Sequence, residues 1–282
     1  MELDPAVVRR VVAAALEEDL AGVGDVTTAA LWDDRVVSAG HIVARADLVL
    51  AGGPVAREVF RALDPALEFE QHHADTKQVA RGERVASIVG DTRRILEGER
   101  TALNFLMRMC GIATAAAEAV TEVAGTGCGI LDTRKTVPGL RQLDKYAVAC
   151  GGATNHRMGL YDAVMIKDTH LHAGFSVGRA IRRARARGHE PETITAEVRD
   201  LAQLEDAIAA GAGRALLDNM DLDGLRAAVR LARGRIVLEA SGGLCPGGFR
   251  VVAETGVDFL SSGWLTHSAP AADLAMEMEP RK

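Results

Sequence analysis

The sequence predicts an α/β protein, in which a small N-terminal α+β region precedes a longer region of alternating strands and helices. Nearly half of the 282 residues are hydrophobic, which supplies a sizeable core. From residue 129 onward, short apolar runs each end in a polar or charged residue and are separated by helical segments. This alternation predicts a parallel sheet, most simply a barrel. An open doubly wound sheet is the alternative, and the periodicity favours the barrel by about two to one.

The N-terminal region is predicted to contain short strands and a few helices. Residues 5–20 carry apolar side chains at helical spacing and predict an amphipathic helix, whereas residues 24–28 suit a turn. Strand-like segments follow at residues 36–43, 48–51, 67–69 and 85–89, with one helix at about residues 54–63. A long helix with an Ala-rich second half, at roughly residues 97–124, leads into the second region.

Each apolar run of the second region is predicted to be a strand whose carboxyl end lies at one shared rim. In barrels and in doubly wound sheets, that rim carries the active site. The residues expected there are Asp132, Lys167, Glu197, Asp218, Glu239 and Ser262. The helices expected between the strands cover residues 177–187, 201–210, 222–232 and 247–255.

Charge and cysteine usage argue against several classes of protein. The net charge of −6 argues against broad nucleic-acid binding, which needs a basic surface. The four cysteines show no C-x-x-C spacing, which predicts reduced, mostly buried thiols in a cytoplasmic protein. We expect no signal peptide and no membrane partner, because no basic stretch precedes an apolar run at the N-terminus and charged residues interrupt each apolar run.

The chain uses arginine for most of its cations and has only five lysines. A compact ammonium binds differently from a planar guanidinium, so a retained lysine can mark a functional position. We favour function for Lys135 and Lys167, which lie at or just after predicted strand ends. For Lys145, in a predicted helix, we favour chance or a solvated surface position.

Basic residues cluster between positions 134 and 167 of an otherwise acidic chain. They are Arg134, Lys135, Arg141, His156, Arg157 and Lys167. Arginine binds carboxylates and phosphates through paired hydrogen bonds, and lysine supplies a point charge. The cluster therefore predicts a small anionic ligand, with two or more carboxylates or with a carboxylate beside phosphates.

Two glycine-containing loops and an acidic pair complete the pattern. The loops at residues 240–244 and 261–264 each follow a predicted strand, where backbone N–H groups can hold a phosphate. Because loops after the last barrel strands often bind phosphate, we favour that interpretation over plain turns by about three to one. Glu197 and Asp218 could hold Mg²⁺ or could balance the nearby lysines, and their spacing favours neither.

These motifs resemble those of the quinolinate phosphoribosyltransferases, also called carboxylating nicotinate-nucleotide pyrophosphorylases. The central signature, at residues 132–141, is D-T-R-K-T-V-P-G-L-R, and the similarity continues through residues 145–148, 151–160 and 166–170. Further matching stretches lie at residues 17–19, 24–28, 99–104, 217–219, 238–243 and 263–268. Because they span nearly the whole chain in order, the match is far more specific than any single short motif.

The resemblance implies an irregular (β/α) barrel with a small N-terminal α+β sandwich domain. We expect the N-terminal domain to cover residues 1–110, joined by the C-terminal tail at residues 269–282, and the catalytic barrel to cover residues 111–268. The resemblance also implies a homodimer with shared active sites, in which each N-terminal domain covers the partner's barrel mouth. A hexamer built from such dimers is left open.

The resemblance further implies a role for each site residue. Quinolinate is held by residues that match Arg134, His156, Arg157 and Lys167, together with Arg100 from the partner subunit. The second substrate, phosphoribosyl pyrophosphate, and its Mg²⁺ are contacted by the expected catalytic residues Lys135, Glu197 and Asp218. The expected phosphate-binding residues are Ser241, Gly242, Gly243, Gly263 and His267.

Three positions depart from the family pattern. Thr195 stands where the family usually has the first acidic residue of Glu-x-Glu, Thr169 replaces an Asn, and Ala153 replaces a Gly. The expected reaction gives nicotinate mononucleotide, carbon dioxide and pyrophosphate, a step of de novo NAD biosynthesis. Because of the departures, the main alternative is a homologue that transfers phosphoribosyl to another pyridine or aromatic carboxylate, for example in secondary metabolism.

Two further hypotheses belong to other classes of protein. A Schiff-base aldolase could use Lys167 at the end of a barrel strand, and a non-catalytic protein could simply bind a sugar phosphate. Neither explains why Arg134, His156 and Arg157 are clustered.

Overall fold

The computed structural model describes residues 2–172 and 174–279, which form two compact units. The first unit comprises Met1–Ala117, Val137–Gly152 and Ala269–Lys282, and the second comprises Glu118–Thr136 and Ala153–Ser268. The segment at residues 137–152 therefore makes its contacts with the N-terminal part of the chain. The domain limits expected from the sequence stay a prediction, and residues 280–282 of the expected tail lie outside the described residues.

The first unit begins with two helices, α1 (Pro5–Leu20) and α2 (Val26–Leu31). Asp4 starts α1 by accepting a hydrogen bond from the Ala6 N–H at 2.8 Å, as an N-cap residue does. Asp25 does the same for α2 through the Thr27 N–H. The turn predicted at residues 24–28 is therefore wrong beyond Gly24, because the Asp25 side chain caps a helix there.

An antiparallel sheet of four strands forms the body of the first unit. Its strands are β1 (Val37–Ala44), β3 (Glu68–Gln71), β5 (Arg84–Asp91) and β12 (Leu274–Met278), in the order β12-β1-β5-β3. Two short strands, β2 (Leu48–Val49) and β4 (Gln78–Val79), form a separate pair, and helix α3 covers Gly53–Leu63. The buried faces of β1 and β5 carry Ile42 and Ile88, neither of which is exposed.

The long helix α4 runs from Thr92 to Glu122 and begins about five residues before its predicted start. An 18-residue window of α4 is long and apolar enough to cross a membrane, contrary to expectation, but 61% of that window is buried within the protein. Such burial is typical of the core helix of a globular protein.

Helix α5 (Arg141–Cys150) also belongs to the first unit, and it corrects the prediction for Lys145. This lysine is fully buried, as is its neighbour Asp144, whereas a solvated surface position was favoured. Asp144 accepts two hydrogen bonds from the Arg108 guanidinium, at 2.8 and 2.7 Å. Hydrophobic spacing alone does not show that a predicted helix buries charged residues as well as apolar ones.

The second unit is built on a sheet of six parallel strands. They are β6 (Gly129–Leu131), β7 (Val164–Ile166), β8 (Ile194–Val198), β9 (Arg214–Asp218), β10 (Val237–Ser241) and β11 (Phe259–Ser261). Their order is β6-β11-β10-β9-β8-β7, the cyclic order of a barrel whose first and second strands are not paired. An isolated parallel bridge joins Leu131 to Thr154 beside β6.

Helices follow the strands of the second unit in the alternation that the sequence predicts. They are α6 (Asp168–Leu171), α7 (Val177–Arg185), α8 (Leu201–Ala210), α9 (Leu222–Ala232), α10 (Phe249–Ala253) and α11 (Trp264–His267). The predicted fold class, an irregular α/β barrel with a small N-terminal α+β region, is confirmed.

Two of the predicted rim residues are fully buried. Asp132 directly follows β6, as predicted, whereas Glu239 is the third residue of β10 rather than the residue after it. Strand β10 continues for two residues past Glu239, because Ala240 and Ser241 still pair with β9 and β11. An apolar run in the sequence marks only the part of a strand that is buried among apolar neighbours. The strand can therefore continue beyond the last residue of the run.

Candidate active site

A cavity of about 780 Å³ lies at the carboxyl ends of the parallel strands in the second unit. All of the predicted site residues of this unit line it. They are Arg134, Lys135, His156, Arg157, Lys167, Glu197, Asp218, Ser241, Gly242, Gly243, Gly263 and His267. The strand ends of a barrel bring such residues together although they are far apart in sequence.

Arg100, the remaining predicted site residue, lies in the first unit on α4. Its side chain is 60% exposed, and its Nη2 atom lies 4.0 Å from the Glu99 Oε1 atom. A pair at that distance leaves the guanidinium largely hydrated, so Arg100 keeps its capacity to bind another anion.

Two guanidinium groups face the cavity and repel one another. Arg157 is anchored by its Nη1 atom, which donates a hydrogen bond to the Ala163 carbonyl at 2.9 Å. Burial, and then the positive charge of Arg134, hold the pKa of the Arg157 guanidinium below its ordinary value. Like charges held this close favour the binding of an anion between them, since the anion relieves their repulsion.

A buried carboxylate fixes the loop that carries Arg157. Asp132 accepts hydrogen bonds from the His156 N–H and from the Asn155 side-chain amide, each at 2.7 Å. Burying this charge is compensated by those two bonds, so Asp132 holds the loop rather than facing the ligand. Its signal in the sequence, a polar residue after a strand, is the same for a loop anchor as for a ligand contact.

The His156 ring joins the loop to the barrel interior. Its Nδ1 atom accepts a hydrogen bond from the Arg157 N–H at 2.7 Å, which places a ring proton on Nε2. That Nε2 atom lies 3.3 Å from the Glu239 Oε2 atom, and Arg214 donates a hydrogen bond to the same oxygen at 3.2 Å. Sequence reasoning missed Arg214, because a charged residue at the start of a strand is normally a surface residue.

The groups around the fully buried Glu239 carboxylate favour its ionised form. Burial raises its pKa, but the neighbouring His156, with smaller contributions from Ser261 and Arg214, lowers it by more. The net pKa of Glu239 therefore lies below its ordinary value. Glu239, His156 and Arg214 thus form a network in the barrel interior, and two further cations, Arg134 and Arg157, line the cavity.

Two carboxylates, Glu197 and Asp218, lie on the neighbouring strands β8 and β9. Burial, and then the negative charge of Asp218, raise the pKa of Glu197, and Lys167 offsets only part of this rise. The Lys167 Nζ atom lies 3.8 Å from the Glu197 Oε2 atom. Two further groups bind Asp218 and were missed: Asn219, whose amide donates to Oδ1 at 2.9 Å, and Arg199, whose Nε atom lies 3.7 Å from Oδ2.

The donor set of this carboxylate pair suits Mg²⁺. Glu197 and Asp218 are close enough for mutual repulsion, which a shared divalent cation relieves. Mg²⁺ prefers hard oxygen ligands and commonly takes one or two carboxylates together with substrate phosphates. Among residues 2–172 and 174–279, no group of three or more His, Cys, Asp or Glu side chains could hold a metal ion.

The two glycine loops are tied together at the cavity. The Ser262 hydroxyl donates a hydrogen bond to the Leu244 carbonyl at 2.7 Å. Gly242 has a φ angle of +117° and packs against Asn219, where any Cβ atom would overlap the amide. Glycine is therefore required at this position for both conformation and space.

The Lys135 side chain packs against Gly263 in the second glycine loop. A Cβ atom at Gly263 would lie 2.7 Å from the Lys135 Cδ atom and 3.0 Å from the His267 ring. The Lys135 carbonyl accepts a hydrogen bond from the Thr266 hydroxyl at 2.8 Å, which fixes its backbone to α11. Because Gly263 has no side chain, Lys135 and His267 can both pack closely against it beside the cavity.

The cysteines and the three family departures contribute little to this cavity. All four cysteines are free thiols, as predicted, and only Cys245 is exposed and lines the cavity. Ala153 and Thr195 are buried, Thr169 is exposed, and none of the three is among the cavity-lining residues. The described wall of the cavity therefore contains none of the three substituted side chains.

Comparison with known proteins identifies the family. The model of the quinolinate phosphoribosyl transferase N-terminal domain matches residues 25–110, and that of the C-terminal domain matches residues 112–277. The chain belongs to the quinolinate phosphoribosyl transferase family. Two matched domains in the family order agree with the motifs and with the cavity.

Individual relatives cover almost the whole chain. A probable carboxylating nicotinate-nucleotide pyrophosphorylase of Bacillus subtilis is 39% identical over 93% of this chain and 90% of the relative. A decarboxylating quinolinate phosphoribosyltransferase of Nicotiana tabacum is 38% identical over 94% of this chain and 80% of the relative. The nicotinate-nucleotide pyrophosphorylase structure from Francisella tularensis superimposes with a TM-score of 0.94 at 35% identity, covering 99% of this chain and 98% of that one.

Proposed function

We propose that this member of the quinolinate phosphoribosyl transferase family transfers phosphoribosyl from phosphoribosyl pyrophosphate to quinolinate. The products are nicotinate mononucleotide, carbon dioxide and pyrophosphate, which places the enzyme in NAD biosynthesis. The observation that carries the proposal is the pair of guanidinium groups, on Arg134 and Arg157, that lie close enough to repel one another and both line the cavity. A pyridine dicarboxylate supplies two negative charges to that pair.

The quinolinate side of the cavity orients the acceptor. Arg134 and Arg157 bind the two carboxylates, and Lys167 contributes a third cation beside them. His156 holds the Arg157 backbone in place through its Nδ1 atom. With both carboxylates fixed, the ring nitrogen has one direction in which to attack, which lowers the entropic part of the barrier.

The opposite side of the cavity binds the sugar phosphates. The 5-phosphate and the pyrophosphate are held by the glycine loops, through Ser241, Gly242, Gly243, Gly263 and His267. Lys135, whose side chain packs against Gly263, stabilises negative charge on the departing pyrophosphate. Mg²⁺ held by Glu197 and Asp218, partly through water or substrate phosphates, supplies further charge neutralisation at the phosphates when it is bound.

The reaction proceeds through a sugar cation without a covalent enzyme intermediate. The bond between the anomeric carbon and the pyrophosphate oxygen breaks, and its electron pair leaves with pyrophosphate. Glu197 and Asp218 stabilise the positive charge that develops on the sugar. The pyridine nitrogen then bonds to the anomeric carbon and becomes cationic. It stabilises the electron pair that remains on the ring when carbon dioxide leaves, and that carbon takes a proton.

We further propose a cytoplasmic homodimer with shared active sites, to which the partner contributes Arg100. The exposure of Arg100 supports this assignment, because its ion pair with Glu99 spans 4.0 Å and leaves the guanidinium 60% exposed. A two-fold dimer repeats the same contact twice and closes the assembly. A hexamer would add contacts between such dimers.

The proposal is tested by incubating the purified protein with quinolinate, phosphoribosyl pyrophosphate and Mg²⁺. We expect nicotinate mononucleotide, carbon dioxide and pyrophosphate in equal amounts, with none of them formed when either organic substrate is omitted. Transfer without release of carbon dioxide, or transfer only to a different aromatic carboxylate, would refute the proposal in favour of the alternative acceptor.

A further inference from the structure

Arg199 lies between two acidic side chains just beyond Val198, the last residue of β8. Its Nη2 atom donates a hydrogen bond to the Asp168 Oδ2 atom at 2.6 Å, and its Nε atom lies 3.7 Å from the Asp218 Oδ2 atom. One guanidinium therefore neutralises charge on two carboxylates. The motifs and strand-end pattern of the sequence did not single out this residue.

Both carboxylate oxygens of Asp218 have a partner in this structure. Asn219 donates a hydrogen bond to Oδ1, and Arg199 faces Oδ2. The amide of Asn219 is neutral, whereas the guanidinium of Arg199 carries a full positive charge. A divalent cation that binds Asp218 therefore meets electrostatic repulsion from Arg199 at the same carboxylate.

We infer that Arg199 is a built-in counter-cation that competes with the divalent cation for Asp218. This inference rests on the metal role proposed for Glu197 and Asp218. Its functional consequence concerns how the metal arrives. A free dication is repelled by Arg199, whereas a metal already bound to a polyphosphate brings compensating negative charge, so Arg199 favours loading of metal together with the phosphate substrate.

The surroundings of Arg199 allow its side chain to move without disturbing the backbone. The Arg199 N–H donates a hydrogen bond to the Gln203 Oε1 atom at 2.9 Å, which anchors the main chain to α8. The side chain itself is 55% exposed. A second cavity of about 250 Å³ is lined by Asp168, Leu171, His172, Glu197, Arg199 and Gln203. This space accommodates the guanidinium on its Asp168 side when a cation takes the Asp218 carboxylate.

The test measures binding of Mn²⁺ alone, by electron paramagnetic resonance of the free ion, to the full-length protein without substrates. Arg199→Met keeps an unbranched side chain but removes the charge. We expect its Kd for Mn²⁺ to be about threefold to tenfold lower than that of the wild type at low ionic strength, and the difference to shrink near ~0.5 M salt.

Two control variants separate this effect from net charge and from misfolding. Arg226→Met removes an equal charge from α9, where Arg226 pairs with the exposed Asp223, and its Kd should equal that of the wild type. Arg199→Lys keeps the charge at the site, and its Kd should stay close to the wild-type value. Circular dichroism melts establish that each variant is folded.

Asp218→Asn makes failure of the inference distinguishable from failure of the proposed metal site. If Asp218→Asn loses Mn²⁺ binding but Arg199→Met binds no more tightly than the wild type, the counter-cation role is overturned and the metal site stands. If Asp218→Asn binds Mn²⁺ as well as the wild type, the metal assignment is wrong and the inference is overturned with it. If no variant binds Mn²⁺ alone, removing Arg199 does not admit the free ion, and the counter-cation role is overturned.

Discussion

The Nε2 atom of His156 lies 3.3 Å from the Oε2 atom of Glu239, a carboxylate with no solvent exposure. The other ring nitrogen of His156 accepts a hydrogen bond from the Arg157 N–H. His156 therefore connects a buried charge, which Arg214 also contacts, to the backbone of an arginine in the substrate cavity. We therefore expect Glu239 to act as a positioning residue for the binding of quinolinate.

Replacing Glu239 with Gln should weaken quinolinate binding more than it slows the chemical step. Gln keeps the shape of the side chain but loses the charge that holds His156, so the Arg157 loop is less well fixed. We expect KM for quinolinate to rise about tenfold while kcat falls less than threefold. Steady-state kinetics at saturating phosphoribosyl pyrophosphate measure both values.

The matched control for Glu239→Gln is Glu254→Gln, which removes an exposed glutamate paired with Arg250 and should leave KM and kcat unchanged. An unaltered KM in Glu239→Gln would show that the connection has no role in binding.

Replacing Glu197 with Gln should abolish most activity and yet stabilise the protein at neutral pH. The pKa of Glu197 is raised by burial and by Asp218, so its ionised form costs stability above its unfolded pKa of about 4.3. Below that pH the wild-type carboxyl is protonated in both states, and the cost disappears. We therefore expect Glu197→Gln to raise Tm by a few degrees at pH 7, and this gain to vanish as the pH falls to about 4. Thermal melts across this range give the comparison with the wild type. A lower Tm for the variant at pH 7 would mean that the Lys167 contact outweighs the repulsion from Asp218.

Replacing Gly263 with Ala should impair the use of phosphoribosyl pyrophosphate by displacing Lys135. The new methyl group would lie 2.7 Å from the Lys135 Cδ atom, so the lysine must move away from the glycine loop. The φ angle of Gly263 is −73°, so the backbone itself accepts Ala without strain. We expect at least about a tenfold loss in kcat/KM for phosphoribosyl pyrophosphate.

Gly248→Ala is the control for Gly263→Ala, since its Cβ atom would lie at an ordinary van der Waals distance, 3.4 Å, from its nearest neighbour. If both variants behave like the wild type, Lys135 does not act from its position over Gly263.

Mixing two inactive variants should restore activity if Arg100 serves the partner's site. Arg100→Ala and Lys135→Ala should each be inactive and folded. After random subunit exchange, half of the dimers are mixed and each mixed dimer has one intact site, so about a quarter of wild-type activity should return. Exchange is verified independently with differently tagged subunits. If exchange is complete and activity stays absent, Arg100 acts within its own chain.

Most of the site could be predicted from the sequence because its chemistry is concentrated at strand ends. Lys167, Asp218 and the glycine loops follow apolar runs, and a parallel sheet brings such positions to one rim. The alternation of strand and helix patterns also predicted the bounds of α8 and α9 correctly, because both helices have a regular apolar face and lie between clearly marked strands. These features depend on local pattern, which a single sequence displays directly.

The rest of the site depends on partners that are distant in sequence. Arg199 and Arg214 are ordinary arginines in the sequence, and only the fold places them beside Asp218 and Glu239. For Lys145 the sequence favoured chance or a solvated surface position, but this residue is fully buried on α5. Burial of a charged group is decided by tertiary packing and by its compensating partners, neither of which hydrophobic spacing contains.

The choice between quinolinate and nicotinate as acceptor tests the central claim most directly. We expect Arg134 and Arg157 each to bind one carboxylate of the acceptor, and nicotinate, which has only one carboxylate, would lose one of these two contacts. Measurement of kcat/KM for both acceptors, with the same enzyme, phosphoribosyl pyrophosphate and Mg²⁺, should give a preference for quinolinate of about 100-fold or more. Equal or faster turnover with nicotinate would contradict the assignment of this cavity to a dicarboxylate.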